Sequence, residues 1–227
     1  MVLERLFLLL VEAAVETVPE EIQNHPAVLK DAGRRGKKPS QVLLDRSYHH
    51  WAMKTLKDGQ KRGRPDIVHF SLLEALGSPL NMKGLLETYV VTRDGLIVHV
   101  NPAVRLPRVY ERFKGVFEQL FEKGVIVSDS GQVLMRLEKG SLEELVERLK
   151  PTTRILLSEK ADPRTASSLQ TLLKTPRPLV MVGCFPHGDF SPETERLAEM
   201  HVALYEKPLE AWVAVSRVLC TAEQVVG

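Results

Sequence analysis

Three cations fall within four residues at Lys61-Arg62-Gly63-Arg64, followed at once by Pro65-Asp66-Ile67. Guanidinium groups make two-point hydrogen bonds to phosphate and stack on nucleobases, so this run is fit to hold a nucleotide. Asp66 stands two residues from Arg64, with a rigid proline between them. The plainer reading is a solvated turn in which Asp66 caps a helix, and the run alone divides evenly between the two. A second set is Arg105, Arg108 and Arg112. At about 100° per residue, Tyr110, Phe113, Phe117 and Phe121 share one helical face, while Arg108 and Arg112 project from the opposite one. Arginines beside the unpaired N–H groups of a helix start make a surface ready for phosphate. A lone amphipathic helix with a wet basic face would show the same pattern.

A third candidate is Val182-Gly183-Cys184-Phe185-Pro186-His187-Gly188-Asp189-Phe190, directly after an apolar run. Glycine at the carboxyl end of a strand lets backbone approach a ligand closely, and such ends are where α/β sheets bind ligands. The spacing is not GxGxxG, so a dinucleotide fingerprint is absent. The stretch Leu204-Tyr205-Glu206-Lys207-Pro208-Leu209 feeds the last helix, with Pro208 suited to its first turn. His49 and His50 beside Trp51 lack a metal-ligand spacing and are expected to pack, as are Cys184 and Cys220; no metal is expected.

Periodicity and caps predict the elements that must position these groups. Strands are expected at 3–11, 41–44, 88–92, 96–100, 132–137, 154–158 and 179–182. Helices are expected at 46–56 (capped by Asp45), 67–76 (stopped by Gly77), 107–122 (opened by Pro107), 141–149, 165–174 and 208–224. Residues 30–39 read as a basic loop, and Arg93-Asp94-Gly95 as a hairpin turn. Strands alternate with helices in the first and last thirds, which implies an α/β fold with a parallel sheet covered on both faces. Residues 79–140 interrupt that rhythm as an inserted hairpin-and-helix extension within a single domain spanning 1–227.

Composition narrows the class. With 227 residues, 44% hydrophobic and 26% charged, the chain is an ordinary globular one with a sizeable core. A net charge of +2 does not by itself argue for nucleic acid. Two cysteines are too few for a disulfide framework or a zinc site, which points to a reduced, cytoplasmic setting. The apolar run Leu6–Val11 is flanked by Glu4, Glu12 and Glu16 and is too short for a membrane helix, so neither a signal peptide nor a membrane partner is expected.

Taken together, these segments resemble the Nep/Emg family, SPOUT-superfamily methyltransferases of ribosome biogenesis that act on N1 of pseudouridine. The resemblance spans about Leu43 to Thr221. It is densest at Arg64-Pro65-Asp66-Ile67-Val68-His69, Ser78-Pro79-Leu80-Asn81, Val100-Asn101-Pro102, and Arg105-Leu106-Pro107-Arg108 with Arg112-Phe113. The compact length is similar to that of archaeal members. The resemblance implies a SPOUT-type parallel sheet, a C-terminal trefoil knot over about 154–227, a homodimer, and S-adenosyl-L-methionine (SAM) held by the knot loops. It implies cofactor contacts at Val182, Gly183 and Gly188, then at Leu204, Tyr205, Glu206, Lys207, Pro208, Leu209 and Ala211. Tyr205-Glu206-Lys207 stands where many relatives carry small polar residues, so contacts there are expected from backbone. It also implies small-subunit rRNA as partner, a stem-loop bearing the pseudouridine, gripped by Arg64, Arg105, Arg108 and Arg112. Asp66, Arg64 and Arg108 would form the catalytic centre, with Asp66 orienting an arginine, because a carboxylate paired to a guanidinium is a poor base. Two alternatives stay open: an RNA-binding assembly factor without catalysis, and a SPOUT methyltransferase acting on ribose.

Overall fold

The computed structural model describes residues 3–226. Its axis is strand β1 (Leu6–Ala13), apolar on both faces because neighbours pair with it on both edges and helices lie above and below. Across the sheet the order is β4 (Val125–Val127), β5 (Val133–Lys139), β3 (Leu96–Val100), β2 (Leu86–Thr92), β1, β7 (Pro178–Gly183), β6 (Thr153–Leu157) and β8 (Met200–Val202). The pairings β2–β1, β1–β7, β7–β6 and β6–β8 are parallel. Those of β2–β3, β3–β5 and β5–β4 are antiparallel. The sheet is therefore mixed, not purely parallel. The tight turn at 93–95, with Gly95 at φ +71°, returns the chain alongside itself and forces an antiparallel neighbour. Strand β2 lies inside the 79–140 stretch yet pairs directly with β1, so that stretch also builds the centre of the sheet.

Leu6, Leu8 and Leu10 face one layer of helices: α3 (Pro65–Gly77), α5 (Tyr110–Lys123) and α9 (Ala211–Val226). Phe7, Leu9 and Val11 face the other, where Leu145, Val146 and Leu149 of α6 (Leu142–Leu149) pack. Helix α6 opens with a reciprocal cap: Ser141 Oγ accepts from the Glu144 N–H at 3.1 Å, and Glu144 Oε2 accepts from the Ser141 N–H at 2.9 Å. A smaller core of Val18, Ile22, Val28, Val42, Leu44 and Met53 lies under α1 (Pro26–Arg34) and α2 (Arg46–His49). The short helices α4 (Pro79–Met82), α7 (Leu169–Leu172) and α8 (Pro192–Leu197) complete the chain.

Several expectations are corrected. Lys30 to Arg34 close α1 and are not loop. Residues 41–44 form no strand: a 3-10 turn covers Pro39–Gln41, and Leu43 makes a single bridge to Thr17. The expected helix 46–56 stops after His49, and Ala52–Thr55 is a 3-10 turn. Asp45 does cap α2, accepting from the Ser47 N–H at 2.9 Å. Asp66 caps nothing; Arg64 holds the N-cap position of α3, and Asp66 sits in the first turn. Helix α5 starts at Tyr110, not Pro107, because Val109 is extended (ψ 119°) and stands as its N-cap. The expected 165–174 helix is a 3-10 turn (Pro163–Ser168) followed by α7, and the last helix begins at Ala211. Cys184 is buried as expected, whereas Cys220 is exposed on the outer side of α9. His49 is buried but Trp51 is 67% exposed, with Lys54 Nζ 3.9 Å from its ring centre. Strands β4 and β8 and helix α8 have no counterpart in the sequence reading; three- and six-residue segments are too short to display a period.

Candidate nucleotide and cofactor site

A cleft of about 470 Å³ opens at the carboxyl ends of β6, β7 and β8, where parallel strands of α/β sheets leave room for ligands. Three successive loops form its walls: residues 158–160 after β6, 183–190 after β7, and 204–210 before α9. Its apolar floor includes Leu157, Val182, Val202 and Ala214. Arg64 and Ile67, from the start of α3, close the remaining side.

The glycine loop is folded on itself. Gly183 lies against its own chain: an added Cβ would meet the rings of Phe190 and Phe185 at 2.8–2.9 Å. Those rings meet edge to face at 5.2 Å. The absent side chain at 183 thus makes room for two phenylalanines of the loop, not for direct approach of a ligand. Gly188 has φ +101°, a conformation that only glycine adopts without strain.

At the mouth, Arg64 Nε and Nη2 donate to the two carboxylate oxygens of Asp66 at 2.8 and 2.7 Å. These bonds, with Glu210 nearby, push the guanidinium above its ordinary value and keep it charged. The Arg64 backbone N–H donates to the Ala14 carbonyl at 3.1 Å, which anchors this loop to the end of β1.

The start of α5 is held beside the same turn. His69 Nε2 lies 2.7 Å from the Pro107 carbonyl, and the imidazole stacks on Phe113 at 4.3 Å. Tyr110 lies within electrostatic reach of the Asp66 carboxylate. Tyr110 and Lys114 both donate to Asp45 Oδ2, at 2.8 and 3.0 Å, in a buried pocket that locks α5 onto the smaller core. Burial and the Asp45 carboxylate raise the Tyr110 phenol, so it stays a neutral donor. Arg105, Arg108 and Arg112 are all exposed and lie outside the cleft wall.

Of the residues singled out in the sequence, Val182, Gly183, Gly188, Leu204, Tyr205, Lys207, Pro208, Leu209 and Ala211 line the cleft. Glu206 is exposed and does not. Asp66 stands behind Arg64, outside the wall. The sequence reading missed the contributions of Leu157–Lys160, of Val202 and Ala214, and of Glu195 from α8. The strand-end rule that singled out residue 183 applies equally to the end of β6 and would have found the first of these. Among the described residues no cluster of three metal-ligating side chains occurs, and no helix is long and apolar enough to cross a membrane.

A ligand-sized cleft at the ends of parallel strands, with a charged guanidinium at its mouth, defines a small-molecule-binding α/β protein with a basic approach. The chain belongs to the EMG1/NEP1 methyltransferase family, whose profile matches residues 8–223. It is 45% identical over 223 residues to the "Ribosomal RNA small subunit methyltransferase Nep1" of Thermococcus kodakarensis, covering 98% of this chain and 99% of that one. The protein of the same name from Staphylothermus marinus is 43% identical, with 98% and 96% covered. The crystal structure of Archaeoglobus fulgidus Nep1 bound to S-adenosylhomocysteine (SAH) superimposes with a TM-score of 0.86 at 42% identity, covering 99% of both chains.

Proposed function

We propose that the chain is a SAM-dependent methyltransferase of small-subunit rRNA that methylates N1 of a pseudouridine, with the reading carried by the juxtaposition of the cleft and the Arg64–Asp66 pair at its mouth. The volume of about 470 Å³ lies within the range of sites that enclose cofactor-sized ligands. Apolar Leu157, Val202, Leu209 and Ala211 suit a purine, and the loop backbones offer donors and acceptors around it. The SAH complex of a relative matched along nearly its whole length supports the same choice of cofactor. SAM supplies a methyl on a sulfonium, so no metal is required.

The remaining work falls to the chain's own residues. Arg64, fixed by Asp66, grips the flipped nucleotide beside the cleft, and Arg108 joins it. Arg105, Arg108 and Arg112 bind the flanking phosphates. The target base leaves its stack to reach the cleft, since a stacked base is inaccessible. N1 of pseudouridine must lose its proton on transfer. Asp66 gives both carboxylate oxygens to Arg64, and a carboxylate paired to a guanidinium is a poor base, so its role is to orient, and the N1 proton passes to water at the cleft mouth.

The last third, about 154–227, is read as a trefoil knot, and the active form as a homodimer. Phe70 and Met82, 43% and 76% exposed on neighbouring helices, and the edge-to-face Phe70–Trp212 pair at 5.1 Å supply an apolar patch for the second copy. Mass spectrometry of a pseudouridine stem-loop and its uridine twin tests the whole reading. One methyl on the pseudouridine strand alone is expected. Methyl on both strands would point to ribose, and methyl on neither, with no heat of SAH binding, would overturn the assignment.

A further inference from the structure

Glu12 carries a strained backbone conformation. Its φ is +49°, where a non-glycine residue is uncommon. It stands in a bulge near the end of β1: the register with β2 slips between Leu10 and Ala13. On either side β1 keeps its bonds to the loop after β7, with the Cys184 N–H donating to the Val11 carbonyl at 2.9 Å and the Ala14 N–H to the Cys184 carbonyl at 2.8 Å. Bulges beside active sites re-aim one side chain, and a strained residue persists only where its surroundings hold it. Here the re-aimed group is a carboxylate whose side chain is 12% exposed.

That carboxylate joins two loops. Oε1 accepts from the Ser191 N–H at 2.7 Å and from the Thr194 hydroxyl at 2.9 Å, which fixes the far end of the 183–190 loop. Oε2 accepts from Lys61 Nζ at 2.9 Å. Lys61 lies along the same loop: its Nζ also donates to the Asp189 carbonyl and sits 4.4 Å from the centre of the Phe185 ring. Its stem covers Gly188, where an added Cβ would come within 3.0 Å of Lys61 Cε. Lys61 is three residues before Arg64, and Gly63 between them has φ +68°. The loop that wraps the cleft and the loop that carries the arginine at its mouth therefore meet at one partly buried ion pair. Neither Glu12 nor Lys61 lines the cleft. Burial raises the Glu12 carboxyl, but the Ser191, Lys61 and Thr194 bonds outweigh it and hold the group below its ordinary value, so it is ionised as the pair requires.

We propose that Glu12 and Lys61 are positioning residues that clamp the 183–190 loop against the Arg64 loop, so that filling the cleft and gripping the nucleotide are coupled through this pair. The proposal rests on the cofactor reading above. Without the pair, the 183–190 loop would spend more time open, and part of the binding free energy would go into closing it.

The test uses Glu12→Gln, Lys61→Met and, as rescue, Lys61→Arg. SAH affinity is measured by calorimetry with and without a pseudouridine stem-loop, alongside steady-state methyl transfer. Glu12→Gln and Lys61→Met are expected to weaken SAH about tenfold and to raise the KM for SAM about as much, while kcat falls less than threefold. Lys61→Arg should recover most of the loss. In wild-type protein, SAH should tighten RNA binding, and in Lys61→Met that gain should shrink. SAH affinity and KM within twofold of wild type in both variants would overturn the clamp. If Glu12→Gln fails to fold, Lys61→Met and hydrogen exchange decide: amides 185–190 of wild-type protein must slow on adding SAH and stay fast in Lys61→Met. Equal protection in the two proteins would also overturn it. Wild-type protein that binds no SAH would instead sink the cofactor assignment, which keeps the two failures apart.

Discussion

His69 Nε2 lies 2.7 Å from the Pro107 carbonyl, so the helix that begins at Arg64 and Asp66 also holds the backbone just ahead of Arg108. A carbonyl only accepts, so the imidazole donates from Nε2 and keeps its Nδ1 as an unpaired acceptor. His69→Phe retains the stack on Phe113 and removes the bond. An unpaired buried carbonyl costs about 1–3 kcal/mol, and the 105–108 segment loses its anchor. RNA affinity by filter binding should fall roughly threefold to tenfold, with SAH affinity unchanged. Equal weakening of both ligands would contradict a local anchor.

Asp66→Asn keeps the shape of the side chain but removes the charge and one of its two acceptors. Arg64 is then free to swing. A misplacement of about 1 Å in a positioning group costs on the order of a hundredfold in rate. Single-turnover methyl transfer should fall roughly tenfold to a hundredfold, with little change in melting temperature because the pair is partly exposed and surface pairs contribute little. An unchanged rate together with unchanged RNA affinity would remove Asp66 from the mechanism.

Arg105→Ala and Arg108→Ala each remove an exposed guanidinium outside the cleft. Phosphate contacts act through counterion release, so each loss should weaken RNA binding and lower the slope of log affinity against log salt by about one. SAH titrations should be indistinguishable from wild type. A full salt slope in both variants would place the RNA elsewhere.

Burial is the leading cause that holds His49, His69 and His99 below the ordinary histidine value. The folded protein therefore binds these protons less readily than the unfolded chain. Their contribution is complete above the unfolded value of about 6.5 and is lost as the pH falls through the lower folded values. Urea unfolding midpoints should be flat from pH 8 to 7 and decline below about 6.5. His49, with no exposed surface, is the main candidate, and a His49→Gln variant should show a shallower decline. A midpoint that rises on acidification would show that these rings are protonated in the fold.

Gly183→Ala drives a methyl group into Phe185 and Phe190. Overpacking costs about 1–3 kcal/mol, and here the displaced rings belong to the cleft wall. SAH affinity should drop at least tenfold while far-UV circular dichroism is retained. Normal affinity would mean that the rings have room to retreat.

Much of the fold could be read from residue pattern alone. The apolar run at 6–11, the Gly95 hairpin, the helix at 141–149 and the strand ending at Gly183 are local signals, set by side-chain period and by backbone freedom within a few residues. The same holds for the chemical character of Arg64, Asp66 and the arginines near α5, and the order of motifs carried the family resemblance. Tertiary packing decided the rest. Residues 41–44 have strand composition but bridge only to residues 16–18, and Pro107 could open a helix but Val109 is held extended while His69 bonds the Pro107 carbonyl. Strand pairing and such side-chain bonds depend on partners dozens of residues away, which no local period encodes. The β6 loop, the phenylalanine pair behind Gly183 and the bonds of Glu12 join segments up to 182 residues apart, and only the folded sheet brings them to one cleft.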